Sequence, residues 1–199
     1  MRKRIFLFVL SLITFHSSCL FAHEDVIIHP KITENAIKNS SIEEYLKNNL
    51  NFKEGFETIL PSSGGKTILT WLKEGSTAED ALNICRASNH FLDPTKTWDT
   101  AGMSDSPWWI NAVCNAWTPY YAAVTWATGL TTPTGTPIAY DTGNAKSPNM
   151  WGNARALYYN ALTTAAKTDR ESYFAQTFKA IGQVLHLIQD MSVNKETTA

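Results

Sequence analysis

The segment over residues 170–191 constrains the fold most, because its apolar residues recur at the spacing of one helix face. Intervals of four and three residues separate Phe174, Phe178, Ile181, Leu185 and Ile188. This is the pattern of an amphipathic helix packed against a core. No part of the chain shows the sustained alternation of apolar and polar residues that predicts a β-strand. We therefore expect an all-α fold.

Other segments are also predicted to be helical. The stretch 66–74 carries apolar residues at helical spacing, and Gly75 directly after it predicts a helix end with a C′ glycine. A further helix is predicted over 151–167. Between these segments, residues 95–150 are rich in proline, glycine and aromatic residues. We predict an irregular aromatic-rich insertion there, with one helix near 109–126.

The N-terminal segment predicts export. Residues 1–4 are basic after the initiator methionine, and residues 5–15 are almost wholly apolar. An apolar run of this length is too short to span a bilayer and is typical of a secretory signal peptide. Ala22 is a suitable cleavage residue, although Cys19 leaves lipidation open as an alternative. We predict a signal peptide over 1–22 and a single domain over 23–199 that is secreted or periplasmic.

The charge of the chain argues against a basic nucleic-acid scaffold. The full sequence has 17 basic and 18 acidic residues, and removal of 1–22 leaves 14 basic and 18 acidic residues, a net charge of −4. A polyanion-binding surface needs clustered positive charge, which this balance does not favour. Cys85 and Cys114 are the two cysteines of the expected mature chain, and whether they form a disulfide stays open.

His186 and Asp190 form a pair that can carry chemistry. They stand four residues apart, so their side chains lie one turn apart on the same helix face. Such a pair can bind one metal ion, or it can simply form an intrahelical hydrogen bond. Gly182, one turn earlier, has no side chain and leaves room beside the imidazole for either a metal ion or a partner helix.

Three of the four histidines of the expected mature chain lie in distinctive segments. These segments are HPKITENAI (29–37), ASNHFLDP (87–94) and AIGQVLHLIQD (180–190). In this order they resemble the motifs of the zinc-dependent phospholipase C family, whose helical fold is shared by single-strand-specific nucleases. The resemblance covers about residues 23 to 193, and it implies an all-helical domain that holds zinc ions.

The resemblance also implies the metal ligands. An early histidine, an aspartate upstream of the Ser-His-Phe-Asp-Pro-like segment, the histidine of that segment and a His-x-x-x-Asp helix are ligands in the family. Carried over, they are His29, Asp80, His90, His186 and Asp190. Glu79 remains an alternative to Asp80. The family further uses the amino group and carbonyl of its mature N-terminal residue. Cleavage after Ala22 makes that residue His23, which is otherwise a solvent-exposed terminal residue.

The implied activity is hydrolysis of a phosphodiester by metal-bound water. Clustered zinc ions lower the pKa of water and stabilise charge on the phosphoryl group. The resemblance makes Asp80 the catalytic ligand that orients or deprotonates this water. The implied substrate is a phospholipid or another phosphodiester, with peripheral membrane contact compatible with it and nucleic acid less favoured by the acidic charge. No protein partner is implied.

The C-terminal sequence departs from the family. The family continues after the His-x-x-x-Asp helix with a Pro-x-His turn and a later helix carrying a histidine and an acid. No histidine follows His186 here. We therefore expect a C-terminally truncated member with ligands for two zinc positions and none for the third. The alternatives are a catalytically inactive, zinc-stabilised helical binding domain and a nuclease-type phosphodiesterase.

Aromatic residues are concentrated in the middle of the chain. They are Trp98, Trp108, Trp109, Trp117, Tyr120, Tyr121 and Trp126. Such residues form a lipid-accepting or base-stacking surface in some proteins, and they pack within the core or under loops in others. Both interpretations remain open from the sequence.

Overall fold

The chain is predominantly helical. The computed structural model describes residues 22–81, 86, 89–103, 121–139 and 149–192. Within these residues there are six α-helices: α1 (Ala22–Lys38), α2 (Ile42–Asn48), α3 (Ile68–Ala81), α4 (Ala123–Thr128), α5 (Met150–Thr163) and α6 (Lys167–Met191). Two antiparallel pairs of two-residue strands accompany them, β1 (Ile59–Leu60) with β2 (Lys66–Thr67) and β3 (Phe91–Leu92) with β4 (Gly102–Met103). The predicted helical class is confirmed, since these strands only close loops.

Helix α6 lies at the centre of the described fold and packs mainly against α3 and α5. The apolar core forms where these helices meet α1, α2 and the β1–β2 hairpin. Its buried members are Ile37, Leu46, Phe56, Leu60, Ile68, Leu69, Leu72, Ala161, Phe174, Ala175 and Phe178. Full burial of one large apolar side chain contributes about 1.5–3 kcal/mol, so packing of this cluster is a large stabilising contribution to the fold.

The apolar stripe predicted on α6 packs against the core from Phe174 to Leu185 and fails at Ile188. Phe174 and Phe178 are buried, but Ile188 is 51% exposed. In the last turns the buried side chains are instead His186, Leu187 and Asp190. The prediction fails at Ile188 because the last turns of α6 bury the side that carries His186 and Asp190, which contacts Ser76 of α3 and His90. A prediction from apolar spacing assumes that the same side of the helix is buried along its whole length.

The predicted helix end at Gly75 is wrong. Helix α3 continues through Gly75 to Ala81. Gly75 lies instead where α3 crosses α6, opposite Gly182. A Cβ atom at Gly75 would lie 2.0 Å from the backbone oxygen of Lys179, and one at Gly182 would lie 2.1 Å from that of Leu72. Both glycines are therefore required for close backbone contact, and the space beside Gly182 is filled by the partner helix.

The described part of the aromatic-rich insertion contributes to packing. Trp126 is buried on α4, and Tyr121 stacks on it with ring centroids 6.3 Å apart. Of the helix predicted near 109–126, residues 109–120 lie outside the described residues, as do Cys85 and Cys114. The residues predicted as the signal peptide lie outside them up to residue 21. None of the described helices has the length and apolar character needed to cross a membrane.

Candidate metal centre

Four ligand atoms converge beside the C-terminal half of α6. His90 Nδ1 lies 3.3 Å from Asp80 Oδ1 and 2.9 Å from Asp190 Oδ2. His186 Nε2 lies 3.5 Å from Asp80 Oδ1, 2.9 Å from Asp190 Oδ2 and 3.2 Å from His90 Nδ1. Ligands about 2.0–2.1 Å from a tetrahedral zinc ion are roughly 3.3 Å from one another. Asp80, His90 and His186 therefore have the spacing of a single metal site, and Asp190 Oδ2 lies against both imidazoles. We call these four residues position one.

A second group shares a carboxylate with position one. His29 Nε2 lies 3.4 Å from Asp190 Oδ1, the oxygen that position one does not use. One ligand atom each of His29, His186 and Asp190 lie within 4.8 Å of one another. We call this group position two. Asp190 therefore presents one oxygen to each position, as a carboxylate does when it bridges two metal ions.

Four segments of the chain supply these side chains. Helix α1 carries His29, the C-terminal turn of α3 carries Asp80, and His90 directly precedes β3. Helix α6 carries His186 and Asp190 on one face because they are four residues apart. The crossing at Gly75 and Gly182 holds α3 and α6 close enough for these side chains to meet. The position of the centre follows from backbone packing as well as from its ligands.

Hydrogen bonds fix the orientation of two of the three imidazoles. His186 Nδ1 lies 2.6 Å from the backbone oxygen of Ser76 and donates its hydrogen to it. His29 Nδ1 lies 2.8 Å from Gln189 Oε1, and Gln189 Nε2 in turn donates to Thr33 Oγ1 at 2.9 Å. These contacts leave each Nε2 facing the cluster. A neutral imidazole with its other nitrogen held in this way is the usual form of a metal-bound histidine.

Burial distinguishes Asp80 from the other ligands. His29, His90, His186 and Asp190 are all buried. The Asp80 side chain is 29% exposed. A molecule approaching from solvent therefore meets Asp80 before any of the other ligands. This exposure is the feature expected of a ligand that also contacts a water molecule or a substrate.

The electrostatics of the cluster call for a positive charge at its centre. Burial of His186 acts to lower its pKa, but the carboxylates of Asp190 and Asp80 outweigh this and raise the pKa to about 10. Burial acts to raise the pKa of Asp190, whereas hydrogen bonds with His186 and His90 bring it well below its usual range. Buried charges need partners. Protons on the imidazoles supply this positive charge, and a divalent cation bound between the ligand atoms would supply it equally.

The donor set fits a transition-metal ion. Imidazole nitrogens with carboxylate oxygens suit zinc, and they also suit other divalent first-row metals, because affinity follows geometry and availability as much as ligand type. The described residues therefore contain buried clusters able to hold a metal ion. Position one offers Asp80, His90 and His186, with Asp190 Oδ2 beside the two imidazoles, and position two offers two or three protein ligands.

The structure separates Asp80 from Glu79, which the sequence left as alternatives. Asp80 faces position one, whereas the Glu79 side chain is fully buried on the far side of His90. Glu79 forms an ion pair with Arg86 and accepts hydrogen bonds from Trp126 Nε1 at 2.8 Å and Gln183 Nε2 at 3.0 Å. Burial acts to raise the pKa of Glu79, but His90 and Arg86 lower it to about 2. Glu79 is therefore an interior anion outside the ligand set.

The structure brings five of the six predicted ligands together, namely His29, Asp80, His90, His186 and Asp190. The His23 side chain lies outside the described residues, so its predicted role stays a prediction. Sequence reasoning missed Gln189, which orients His29 from 160 residues away. The only signal in the sequence was its place next to Asp190 on the ligand helix.

Comparisons with known proteins identify no relative. No protein-family model, no curated protein and no solved structure matches this chain. The candidate metal centre therefore rests on the geometry and chemistry of its own residues.

Proposed function

We propose that this chain is a secreted zinc-dependent phosphodiester hydrolase of the phospholipase C type. One observation carries the proposal: Asp190 lies between two groups of ligands and offers Oδ2 to His90 and His186 and Oδ1 to His29. A shared carboxylate is suited to two adjacent metal ions, and paired ions are a recurrent device for phosphodiester cleavage. The motif order resembling that family supports the same activity and the corresponding helical fold type.

We assign the ligands to two zinc positions. Asp80, His90, His186 and Asp190 would hold one zinc ion, and His29 and Asp190 would hold another, with the mature N-terminal residue His23 as a further donor. Zinc bound there supplies Lewis acidity to phosphoryl oxygens and makes water nucleophilic at neutral pH. Asp80 is accessible from solvent, so we assign it to orient the water and accept its proton. Ser76 and Gln189 keep the imidazoles in the binding tautomer.

We favour a phospholipid or another small phosphodiester as substrate over nucleic acid. The expected mature chain has a net charge of −4, which disfavours association with a polyanion. Peripheral contact with a membrane surface is part of this proposal, as is export after cleavage near Ala22. A nuclease-type phosphodiesterase is the alternative that keeps the same metal chemistry.

A catalytically inactive, zinc-stabilised binding domain is the second candidate function. It is favoured by the small number of protein ligands at position two among the described residues. Both candidates require bound metal, so metal binding alone does not distinguish them. Turnover does.

The test measures zinc per chain together with hydrolysis of bis(p-nitrophenyl) phosphate, phosphatidylcholine vesicles and single-stranded DNA, each with and without chelator. We expect two zinc ions and chelator-sensitive hydrolysis of the first two substrates. Asp80→Asn is expected to lower turnover about 100-fold or more, since positioned acid–base groups contribute roughly 10²–10⁴-fold. Glu74→Gln on the same helix is the matched control, because Glu74 forms a surface ion pair with Lys66 and belongs to neither ligand group.

Each other outcome has a distinct meaning. Bound zinc without hydrolysis of any substrate would support the inactive binding domain. Hydrolysis of DNA alone would support the nuclease-type enzyme. A protein that binds no zinc would overturn the metal assignment altogether.

A further inference from the structure

Glu79 occupies an unusual place for a carboxylate. Its side chain is fully buried, and its oxygens accept hydrogen bonds from α4 through Trp126 and from α6 through Gln183. Arg86 completes an ion pair with it. Burying a carboxylate costs several kcal/mol before its partners offset that cost, and apolar residues of similar volume are often as stable. Stability alone therefore gives no reason for a charge at this position.

The adjacent imidazole supplies a reason. His90 turns Nδ1 towards position one, so a metal ion bound there requires the hydrogen of His90 to be on Nε2. His90 Nε2 is buried and has no hydrogen-bond partner in the described part of the chain. The Glu79 Oε1 atom lies 3.7 Å from it, beyond hydrogen-bond distance. In His186 and His29, by contrast, the nitrogen that faces away from the cluster, Nδ1, is hydrogen-bonded to Ser76 and Gln189 respectively.

We propose that Glu79 is a positioning residue of the metal centre: when His90 holds a metal ion through Nδ1, Glu79 Oε1 accepts the hydrogen bond from His90 Nε2–H. This inference rests on the metal centre in the proposed function. A carboxylate oxygen accepts two hydrogen bonds, so the bond from Trp126 Nε1 need not be lost. Closing the gap from 3.7 Å requires a shift of less than 1 Å, and hydrogen bonds at such sites commonly tighten on ligand binding.

Glu79 would also explain why His90 carries its hydrogen on Nε2 when Nδ1 binds the metal ion. A carboxylate behind a metal-bound histidine fixes the ring orientation, selects the tautomer and increases the electron donation of the ligating nitrogen. Arg86 and Gln183 hold the carboxylate itself in place. The buried ion pair then serves to keep an anion behind His90, and Arg86 is its counterion.

The experiment separates positioning from simple charge pairing. In Glu79→Met/Arg86→Met both charges and the acceptor oxygen are removed. In Glu79→Gln/Arg86→Met both charges are removed and an acceptor oxygen is kept. Zinc affinity is measured by competition with a chromogenic chelator, and the free energy of unfolding is measured in excess chelator. Glu171→Gln is the control, because Glu171 accepts a hydrogen bond from the Ser62 backbone N–H near the other end of α6.

We expect the Met/Met variant to bind zinc 10- to 100-fold more weakly than the wild type, the range seen when such supporting residues are removed. The Gln/Met variant should recover most of that loss, although neither variant carries the ion pair. Glu171→Gln should bind zinc as the wild type does. Equal zinc affinity in both double variants and the wild type would overturn the inference, while wild-type protein without zinc affinity would overturn the proposed function instead.

A second measurement covers the case in which the Met/Met variant does not fold. The crystal structure of the zinc-loaded wild-type protein should show His90 Nε2 within about 3.2 Å of Glu79 Oε1, the outer range of an N–H···O hydrogen bond. A distance of 3.7 Å or more in that structure, or zinc on His90 Nε2 in place of Nδ1, would contradict the inference.

Discussion

The two halves of α6 are buried by opposite physical means. Residues 167–181 place Phe174 and Phe178 in the apolar core, where removal of apolar surface from water stabilises the fold without any ligand. Residues 182–191 place His186 and Asp190 at the same level of burial. Charged groups buried in this way stabilise a protein only when opposite charges surround them. The first half therefore stabilises the fold without any ligand, and the second half is where we expect a bound cation to add stability.

Phe178→Ala gives the largest expected effect and tests this division directly. Loss of a buried phenylalanine side chain should lower the free energy of unfolding by about 3–5 kcal/mol, with or without zinc. Urea denaturation in chelator and in excess zinc measures both values. The stabilisation added by zinc should stay unchanged, because Phe178 packs in the apolar core and is not one of the candidate ligands.

His186→Ala is the complementary change on the same helix. It should remove the zinc-dependent increment, which is about 4 kcal/mol for a ligand at 1,000 times its dissociation constant. If Phe178→Ala also removed that increment, the two halves would be a single cooperative unit and the comparison would fail.

Gly182→Ala tests the boundary between the two halves of α6. We expect an intermediate loss in the free energy of unfolding. The added methyl group would lie 2.1 Å from the Leu72 backbone oxygen, so α3 and α6 must move apart. Overpacking of this kind costs about 1–3 kcal/mol. The same movement separates Asp80 from His186, so zinc affinity should fall as well.

Gln176→Ala is the control for this change, since Gln176 lies on the exposed side of α6 and surface substitutions usually stay within about 0.5 kcal/mol. Urea denaturation and a zinc competition assay measure the two quantities. Normal zinc affinity in a destabilised Gly182→Ala protein would mean that the crossing does not position the ligands.

The sequence was sufficient for α5 and α6 and for most of the residues that meet at the candidate metal centre. Periodicity is a local property, so α6 was predicted nearly to its ends, and the spacing of His186 and Asp190 placed both on one face. Gly75 was misread because a glycine that ends a helix and one that allows two helices to touch look identical in sequence. The contact that distinguishes them comes from Lys179, more than 100 residues later.

Local sequence patterns could not decide between Glu79 and Asp80 as the ligand either, because the decision depends on contacts between distant segments. One residue along a helix turns the side chain by about 100°, as 3.6 residues per turn require. Which of the two carboxylates faces the metal position depends on how α3 lies against α6. The packing turns Asp80 to the cluster and Glu79 to Arg86 and Trp126.

Gln189→Leu has the smallest expected effect and sharpens the comparison within the second half of α6. Gln189 Oε1 accepts from His29 Nδ1, so its loss frees the His29 ring while leaving the ligands of position one in place. We expect zinc binding at position two to weaken about tenfold, or about 1.4 kcal/mol. Binding at position one should stay unchanged, because His186 keeps its own hydrogen bond to Ser76. Calorimetric titration of zinc into metal-free protein resolves the two steps, with Gln176→Leu as the matched control. Equal weakening of both steps would show that His29 and position one form a single site, and that Asp190 does not divide its oxygens between two ions.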